Sequence, residues 1–282
     1  MLIGGIEAGG TKFVCAVGDQ TGKIIAKTSF PTVGPEETFK EVKAFFADYS
    51  IEAIGIGSFG PVDLDKQSKT YGTILNTPKT KWKNYDVLKR LQTDYQLPVY
   101  MDTDVNAAAL GEYKYGIGND VDSCMYITVG TGIGAGFVKD GETYIGKSHP
   151  EMGHIFVQQH EDDKFVGSCA YHGTCLEGLA SGPAIEKRNG KKGNLLADQQ
   201  SVWELEAYYL AQAIMSYFLI LSPERVIIGG GVLKQEQLYP LIREKILELV
   251  NGYVAIENVD NFIVAPSLND EQGIKGAIAL TL

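Results

Sequence analysis

Two stretches decide the fold of this chain: G-I-E-A-G-G-T-K-F-V at residues 5–14 and T-V-G-T-G-I-G-A-G-F at residues 128–137. Each reads as an apolar strand, a glycine-rich turn and a second apolar strand. In both places a third strand follows, and after it strands alternate with helices. The pattern predicts a duplicated unit of three strands, each copy feeding a strand–helix alternation, and so a chain of the α/β class.

The duplication also suggests how the chain divides. No low-complexity linker separates the two halves. We predict an N-terminal α/β domain over residues 1–115 and a C-terminal α/β domain over residues 116–282. The last helix, at residues 271–282, is expected to pack back on the first domain, and a late strand is expected at residues 261–265.

Composition excludes several classes of partner. The chain has 282 residues, of which 44% are hydrophobic and 21% charged, and its net charge is −10. Such a surface does not attract nucleic acid or anionic lipid. The longest apolar stretch, residues 208–221, is too short to span a bilayer, and no signal peptide is visible. We therefore expect a cytoplasmic protein with no nucleic-acid or membrane partner.

The two glycine-rich turns are candidate phosphate-binding loops. Glycine lets backbone N–H groups approach a phosphate, and threonine hydroxyls donate to its oxygens. The glycines of the second turn lead into a strand, so they are not a dinucleotide-binding fingerprint, and no P-loop sequence is present. Hairpins favour glycine anyway, but two such turns in register predict nucleotide binding at Gly9, Gly10, Thr11, Lys12, Gly130, Thr131 and Gly132.

A third glycine cluster, Gly229–Gly231, ends the strand V-I-I. Open α/β sheets bind ligands beyond the carboxyl ends of their strands, so an adenosine could lie against this backbone. A plain strand-to-helix turn explains the same glycines, and the sequence leaves both readings open.

Four side chains in the order H-x14-C-x2-H-x2-C form a candidate metal site. The chain has four cysteines and four histidines, and two of each make up this pattern. Thiolate and imidazole ligands in a closed set of four suit structural zinc. The alternative is a loop with cysteines and histidines placed by chance. The predicted ligands are His154, Cys169, His172 and Cys175.

Asp104 is the candidate catalytic carboxylate. It follows the strand V-Y-M-D and opens a helix at V-N-A. Aspartate at that place is a natural helix N-cap, and it could equally be a general base that faces a sugar hydroxyl. Asp102, at the same strand end, is the second candidate.

Together these motifs resemble the ROK family of sugar kinases and sugar-responsive repressors. The two hairpins are similar to the family's phosphate loops, and D-V-N-A-A-A-L-G-E at residues 104–112 resembles the segment that bears its base. P-E-M-G-H at residues 150–154, with the Cys/His pattern, resembles its sugar and zinc motif. The resemblance covers nearly the whole chain and is closest to the bacterial fructokinases. It implies the duplicated, two-domain ribonuclease H-like fold of the actin, hexokinase and Hsp70 group.

The resemblance also implies roles for individual residues. Asp104 becomes the base, and Pro183 and Gly229–Gly231 join the hairpins as nucleotide contacts. Glu7 becomes an indirect magnesium site. The sugar contacts become Glu151, His154, Asn76, Glu177 and Gly60.

Three positions depart from the common family pattern. Glu7 stands where most members have aspartate, and Thr103 stands where a sugar-binding asparagine is usual. The knuckle C-x2-H-x2-C replaces the commoner all-cysteine spacing. All three departures fit the fructokinase branch of the family.

The resemblance implies an ATP- and magnesium-dependent kinase that makes a hexose 6-phosphate, with fructose as the first choice of substrate. Mannose, glucose or an N-acetylated amino sugar are alternatives within the same class. A non-catalytic sugar sensor is the alternative of another class. A homodimer, common in the family, is expected.

Overall fold

The computed structural model describes all 282 residues, and its strands and helices repeat one sheet topology twice. The strands are β1 (Ile3–Ala8), β2 (Lys12–Gly18), β3 (Ile24–Pro31), β4 (Ala53–Ser58), β5 (Thr73–Ile74), β6 (Tyr85–Asp86), β7 (Val99–Thr103), β8 (Ser123–Val129), β9 (Ile133–Lys139), β10 (Glu142–Thr143), β11 (Arg225–Gly229) and β12 (Ile263–Val264). The helices are α1 (Pro35–Phe46), α2 (Val87–Tyr95), α3 (Asp104–Tyr115), α4 (Leu176–Ala180), α5 (Gly182–Asn189), α6 (Gln200–Leu221), α7 (Leu238–Val250), α8 (Val259–Phe262) and α9 (Gln272–Ala279).

The two large sheets have the same strand order. The first runs β3-β2-β1-β4-β7, with β1, β2 and β3 antiparallel and with β4 and β7 parallel to β1. The second runs β10-β9-β8-β11-β12, with β11 parallel to both β8 and β12. In each case the opening three strands are followed by two parallel strands on the other side of the first. This repeated order confirms the predicted duplication and fold class.

Contacts between Cα atoms divide the chain into two units. The first consists of residues 1–122, 136–150 and 267–282, and the second of residues 123–135 and 151–266. This division differs from the predicted boundary after residue 115 in two respects, the first being that residues 116–122 belong to the first unit. Part of β9, with β10 and the loop after it, returns to the first unit.

In the first unit the last helix packs on α3 at very short range. A β-carbon on Gly276 would lie 1.6 Å from the carbonyl oxygen of Ala107, so no larger residue fits there. The buried carboxylate of Glu112 accepts hydrogen bonds from the N–H groups of Ser267 (2.9 Å) and Leu268 (3.2 Å). These bonds hold the segment that leads into α9, because a buried carboxylate needs such partners.

The core of the first unit lies between β1, β2, β4, α1 and α2. Its largest fully buried side chains include Trp82, Phe13 and Phe39. The rings of Phe13 and Trp82 stack with centroids 5.4 Å apart, so the 3-10 turn at Thr80–Trp82 is fixed to β2. Strand β3 alternates between half-buried and exposed residues, as expected for an antiparallel strand with one face toward solvent.

The second unit shows two departures from the sequence predictions. Residues 259–262 are helical, so the strand expected at residues 261–265 shrinks to Ile263–Val264. The cause is the Asn258 side chain, which accepts a hydrogen bond from the N–H of Asn261 and caps the short helix. Helices α4 and α5, directly after the Cys/His segment, were not predicted. No helix of the structure is both long enough and apolar enough to cross a membrane.

Candidate functional site

Two carboxylates at the end of β7, those of Asp102 and Asp104, differ in burial and in hydrogen bonding. Asp102 is only 2% exposed, and its oxygens accept hydrogen bonds from the N–H of Thr103 (2.7 Å) and the hydroxyl of Thr143 (2.6 Å). The side-chain amide of Asn106 donates a third, at 2.8 Å. Burial raises the pKa of Asp102, and these hydrogen bonds lower it. The side chain therefore joins β7, α3 and β10, which leaves it poorly placed to receive a substrate proton.

Asp104 is half-buried at the first residue of α3. The helix cap is Thr103, whose hydroxyl accepts a hydrogen bond from the N–H of Asn106 at 3.1 Å. The interpretation of Asp104 as the N-cap is therefore wrong, because Thr103 is the residue that caps the helix. The carboxylate of Asp104 accepts a hydrogen bond from the N–H of Val105, at 2.9 Å.

The other predicted sugar contacts of the first unit lie on the connection after β4. Asn76 is exposed in a turn held by the N–H of Leu75, which donates to the carbonyl of Pro61 at 2.8 Å. Next to Gly60, the N–H of Val62 donates to Nε2 of His149 at 3.1 Å. His149 could not be selected from the sequence, since its partner is a backbone group 87 residues away along the chain.

The first phosphate hairpin has a tight backbone. The N–H of Gly9 donates to the carbonyl of Lys12 at 3.0 Å, and a β-carbon on Gly9 would lie 2.7 Å from that oxygen. Thr11 and Lys12 are exposed at its tip. The hairpin therefore presents side chains and backbone to solvent, as phosphate binding requires.

Glu7, the expected magnesium site, lies at the end of β1 against α9. A β-carbon on Gly273 would lie within 3.0 Å of both its carboxylate oxygens, so Gly273 makes room for the longer side chain. Burial raises the pKa of Glu7, while the charge of Lys12 lowers it. The carboxylate suits an indirect role, because it is half-buried and close enough to Lys12 for the lysine charge to act on it.

The second hairpin opens onto a cavity of about 540 Å³ in the second unit. That size falls in the usual range of small-molecule pockets. Four predicted nucleotide contacts line it: Gly130, Thr131, Pro183 and Gly231. Gly229 and Gly230 are not among the lining residues.

Gly229 and Gly230 instead make the turn beneath the cavity possible. Gly230 has φ of 96°, and a β-carbon there would lie 2.5 Å from the carbonyl oxygen of Val129. A β-carbon on Gly229 would lie 2.6 Å from the ring of Pro266. The turn interpretation therefore holds for these two glycines, and the ligand interpretation is kept for Gly231.

The far wall of the cavity comes from residues that the sequence did not indicate. Trp203 of α6 is buried, and its indole N–H donates to the carbonyl of Leu196 at 2.9 Å. Lys192 and Lys234 are exposed at the cavity. An aromatic ring with nearby cations suits a base and its phosphates, but no spacing along the chain reveals that these residues meet.

The four predicted metal ligands do come together. Their ligand atoms all lie within 4.8 Å of one another. Nδ1 of His154 is 3.7 Å from Sγ of Cys169 and 3.6 Å from Sγ of Cys175, and Sγ of Cys169 is 3.8 Å from Nδ1 of His172. A tetrahedral zinc with Zn–S of about 2.3 Å and Zn–N of about 2.0–2.1 Å separates sulfur from nitrogen by about 3.6 Å. The donor set and its spacing therefore fit zinc.

The P-E-M-G-H segment is pinned from two sides. It forms a 3-10 turn at Met152–His154, and the hydroxyl of Tyr217 donates to the carbonyl of Met152 at 2.6 Å. A β-carbon on Gly153 would lie 1.8 Å from the carbonyl oxygen of Ile133, so only glycine fits. Glu151, just before this turn, is exposed.

Comparison with known proteins agrees with this arrangement. The model of the ROK family matches residues 3–282. A protein of Bacillus subtilis (strain 168) is 52% identical, over 99% of the chain and 95% of that protein. The fructokinase of Pediococcus pentosaceus is 42% identical, over 99% of the chain and 97% of its own length. The solved structure of a ROK family glucokinase from Streptomyces griseus, in complex with glucose and AMPPNP, has a TM-score of 0.78 at 26% identity and covers 99% of each chain. The chain therefore belongs to the ROK family.

Proposed function

We propose that this protein is an ATP-dependent hexose kinase that converts D-fructose to fructose 6-phosphate. Its identity to the Pediococcus pentosaceus fructokinase over nearly the full length of both proteins supports the substrate. The observation that carries the catalytic assignment is the contrast at the end of β7. Asp102 is buried and fully hydrogen-bonded, while Asp104 is half-buried with its helix capped by Thr103.

In the proposed reaction the 6-hydroxyl oxygen of the sugar attacks the γ-phosphorus of ATP. The bond between that phosphorus and the β–γ bridging oxygen breaks, ADP leaves, and Asp104 accepts the hydroxyl proton. Enzymes of this kind mostly position the groups and neutralise charge, and a carboxylate orients or deprotonates the attacking hydroxyl. General-base assistance is typically worth about 10²–10⁴-fold in rate.

The nucleotide is assigned to the two hairpins and the cavity. Gly9, Gly10, Thr11 and Lys12 would approach the terminal phosphates, and Gly130, Thr131 and Gly132 the others. Pro183 and Gly231 would contact the nucleoside in the cavity of the second unit. Magnesium, when bound with ATP, would neutralise phosphate charge, and Glu7 would act on it indirectly.

The sugar is assigned to Gly60, Asn76, Glu151, His154 and Glu177. His154 has a double role, since its Nδ1 faces the two cysteine sulfurs and Nε2 is left at the opposite ring edge. Zinc, when bound by His154, Cys169, His172 and Cys175, would hold this segment in place. Four protein ligands leave no open position, so its role would be structural.

The test is a panel of initial rates with ATP and magnesium on fructose, mannose, glucose and N-acetylmannosamine. We expect kcat/KM for fructose to exceed that for the others by about tenfold or more, the scale on which pocket contacts discriminate. A higher kcat/KM for another hexose would make that hexose the substrate and leave the protein a sugar kinase. No ADP release with any hexose would favour the non-catalytic sugar sensor.

A homodimer is part of the proposal. Light scattering on the purified protein should give twice the 30.7 kDa mass of one chain. A mass of one chain at micromolar concentration would contradict it.

A further inference from the structure

Lys79 lies against the first phosphate hairpin. Its Cε atom is 3.2 Å from the position that a β-carbon would occupy on Gly10. The side chain is half-buried, and Gly10 leaves the space that its aliphatic stem crosses. A lysine that rests its stem on one group commonly presents its ammonium beyond it.

The position of Lys79 is fixed by the same aromatic side chains that fix the hairpin. Its carbonyl accepts a hydrogen bond from the N–H of Trp82 at 2.8 Å, and its own N–H donates to the hydroxyl of Thr77 at 3.4 Å. Trp82 is fully buried, donates from its indole to the carbonyl of Val33 at 2.9 Å, and stacks on Phe13. Phe13 is the second residue of β2, directly after the hairpin. Lysine and hairpin therefore share one rigid support.

The positive charge of Lys79 is not paired with any acidic group of the protein. Its ammonium has no ion pair and no hydrogen bond in the structure, whereas Lys27 of the same unit is 2.5 Å from Glu271. The chain carries 35 acidic residues against 25 basic ones, so carboxylates to pair with are abundant. An ordered, half-buried lysine without a carboxylate beside it suits an anionic ligand that the protein binds from outside.

We propose that Lys79 binds the terminal phosphate of ATP and stabilises the charge on the phosphoryl group as it moves to the sugar. This inference rests on the proposed kinase function and adds a catalytic residue that the sequence did not indicate. As the bond from the γ-phosphorus to the bridging oxygen breaks and the bond to the sugar oxygen forms, negative charge lies on the phosphoryl oxygens. A fixed ammonium placed there lowers the barrier, because it needs no reorganisation when the reaction occurs.

The experiment compares three variants. Lys79→Gln removes the charge and keeps the length of the stem, Lys79→Arg keeps the charge, and Lys83→Gln is the matched control. Lys83 is exposed in the same segment, and its side chain makes no hydrogen bond or ion pair. For each protein, kcat is measured with ATP, magnesium and the preferred hexose. Calorimetry then gives the affinities for magnesium-bound AMPPNP and for ADP.

We expect Lys79→Gln to lower kcat by about 10²–10³-fold, the usual cost of removing one preorganised donor to a transition state. It should weaken AMPPNP binding and leave ADP binding within about twofold, because only the terminal phosphate is addressed. Lys79→Arg should recover part of the rate, and Lys83→Gln should match the wild type.

Other outcomes overturn the proposal in distinguishable ways. If the wild type phosphorylates a hexose and Lys79→Gln keeps its kcat, the role of Lys79 fails while the kinase function stands. Equal loss of AMPPNP and ADP binding would show that Lys79 only supports the hairpin. A wild type that transfers no phosphate to any hexose would overturn the kinase function and this inference with it.

Discussion

The carboxylate of Glu177 accepts a hydrogen bond from the backbone N–H of Ile133, with 3.0 Å between Oε2 and the nitrogen. Ile133 begins the strand after the second glycine-rich hairpin, and Glu177 is two residues beyond Cys175, one of the four predicted metal ligands. The end of the Cys/His segment is thus bonded to the hairpin assigned to phosphate. The two motifs, read separately in the sequence, are one structural assembly.

Gly132→Ala tests this connection. A β-carbon there would lie 2.7 Å from Oε2 of Glu177, which is too close for the carboxylate to stay where it is. If Glu177 moves, Ile133 loses its acceptor, and a lost hydrogen bond of this kind costs about 1–3 kcal/mol. We expect KM for ATP to rise several-fold, measured by initial rates at saturating hexose.

A double-mutant cycle with Glu177→Ala separates the steric contact from a general weakening of the hairpin. Because the two residues are in contact, the combined effect on the free energy of unfolding should be smaller than the sum of the single effects. Strict additivity would mean that Gly132→Ala acts through something other than Glu177.

Removal of the metal should loosen the segment from Glu151 to Cys175. Metal analysis of the purified protein should find about one zinc per chain, as four protein ligands predict. Cys175→Ser, or chelator treatment, should lower the melting temperature and raise KM for the sugar more than KM for ATP. Full activity and an unchanged melting temperature after verified removal of zinc would reduce the Cys/His cluster to a chance arrangement.

Glu206 should make stability depend on pH. It is 1% exposed in α6, and neither of its carboxylate oxygens has a hydrogen-bond partner in the structure. Burial raises its pKa well above the ordinary value, and the charge of Arg188 lowers it less. The unfolded chain therefore releases this proton at lower pH than the folded protein does, so stability falls as pH rises above the ordinary pKa of about 4.5.

Glu206→Gln removes that dependence. The variant should unfold at higher denaturant concentration than the wild type at a pH of about 8, with the difference shrinking toward a pH of about 5. The matched control is Glu204→Gln, an exposed position on the same helix, which should show no such trend. A variant that is less stable than the wild type at every pH would indicate that the buried carboxylate is ionised and paired.

Asp104→Asn should lower kcat by about 10²–10⁴-fold, because it removes a proton acceptor. It should leave the melting temperature nearly unchanged, because asparagine has the same size and its oxygen can still accept from the N–H of Val105. Asp102→Asn should behave differently. Its amide cannot accept all the hydrogen bonds that the carboxylate accepts, so about 1–3 kcal/mol of stability should be lost. An Asp104→Asn variant with wild-type kcat would show that another group orients the hydroxyl.

Local pattern predicted much of this molecule. The duplicated hairpins predicted both sheets, because an apolar strand and the glycine turn after it are determined by residues that are neighbours in the sequence. The Cys/His spacing predicted that His154, Cys169, His172 and Cys175 come together, because few residue types ligate zinc. The sequence indicated Asp104 both as a base and as a helix cap, and Thr103 takes the cap position. Both residue types suit a helix start, and only the structure shows that the Thr103 hydroxyl accepts from the N–H of Asn106.

Contacts between residues far apart along the chain could not be predicted from the sequence. Trp203 and Lys192 line the cavity beside the second hairpin from elements far from it along the chain, and Lys79 reaches Gly10 across about 70 residues of sequence. Glycines were also ambiguous. Gly230 and Gly231 look alike in sequence. Gly230 is needed because its φ is positive, whereas Gly231 lines the cavity.

The identity of the product tests most directly whether the protein phosphorylates fructose at the 6-hydroxyl. The purified protein is incubated with ¹³C-labelled D-fructose, ATP and magnesium, and the reaction is followed by ¹³C and ³¹P NMR, with Asp104→Asn as the control. We expect ADP formation and phosphorus coupling at C6 of fructose, with both strongly slowed in the control. Phosphorus coupling at C1, or ADP formed without any sugar phosphate, would contradict it.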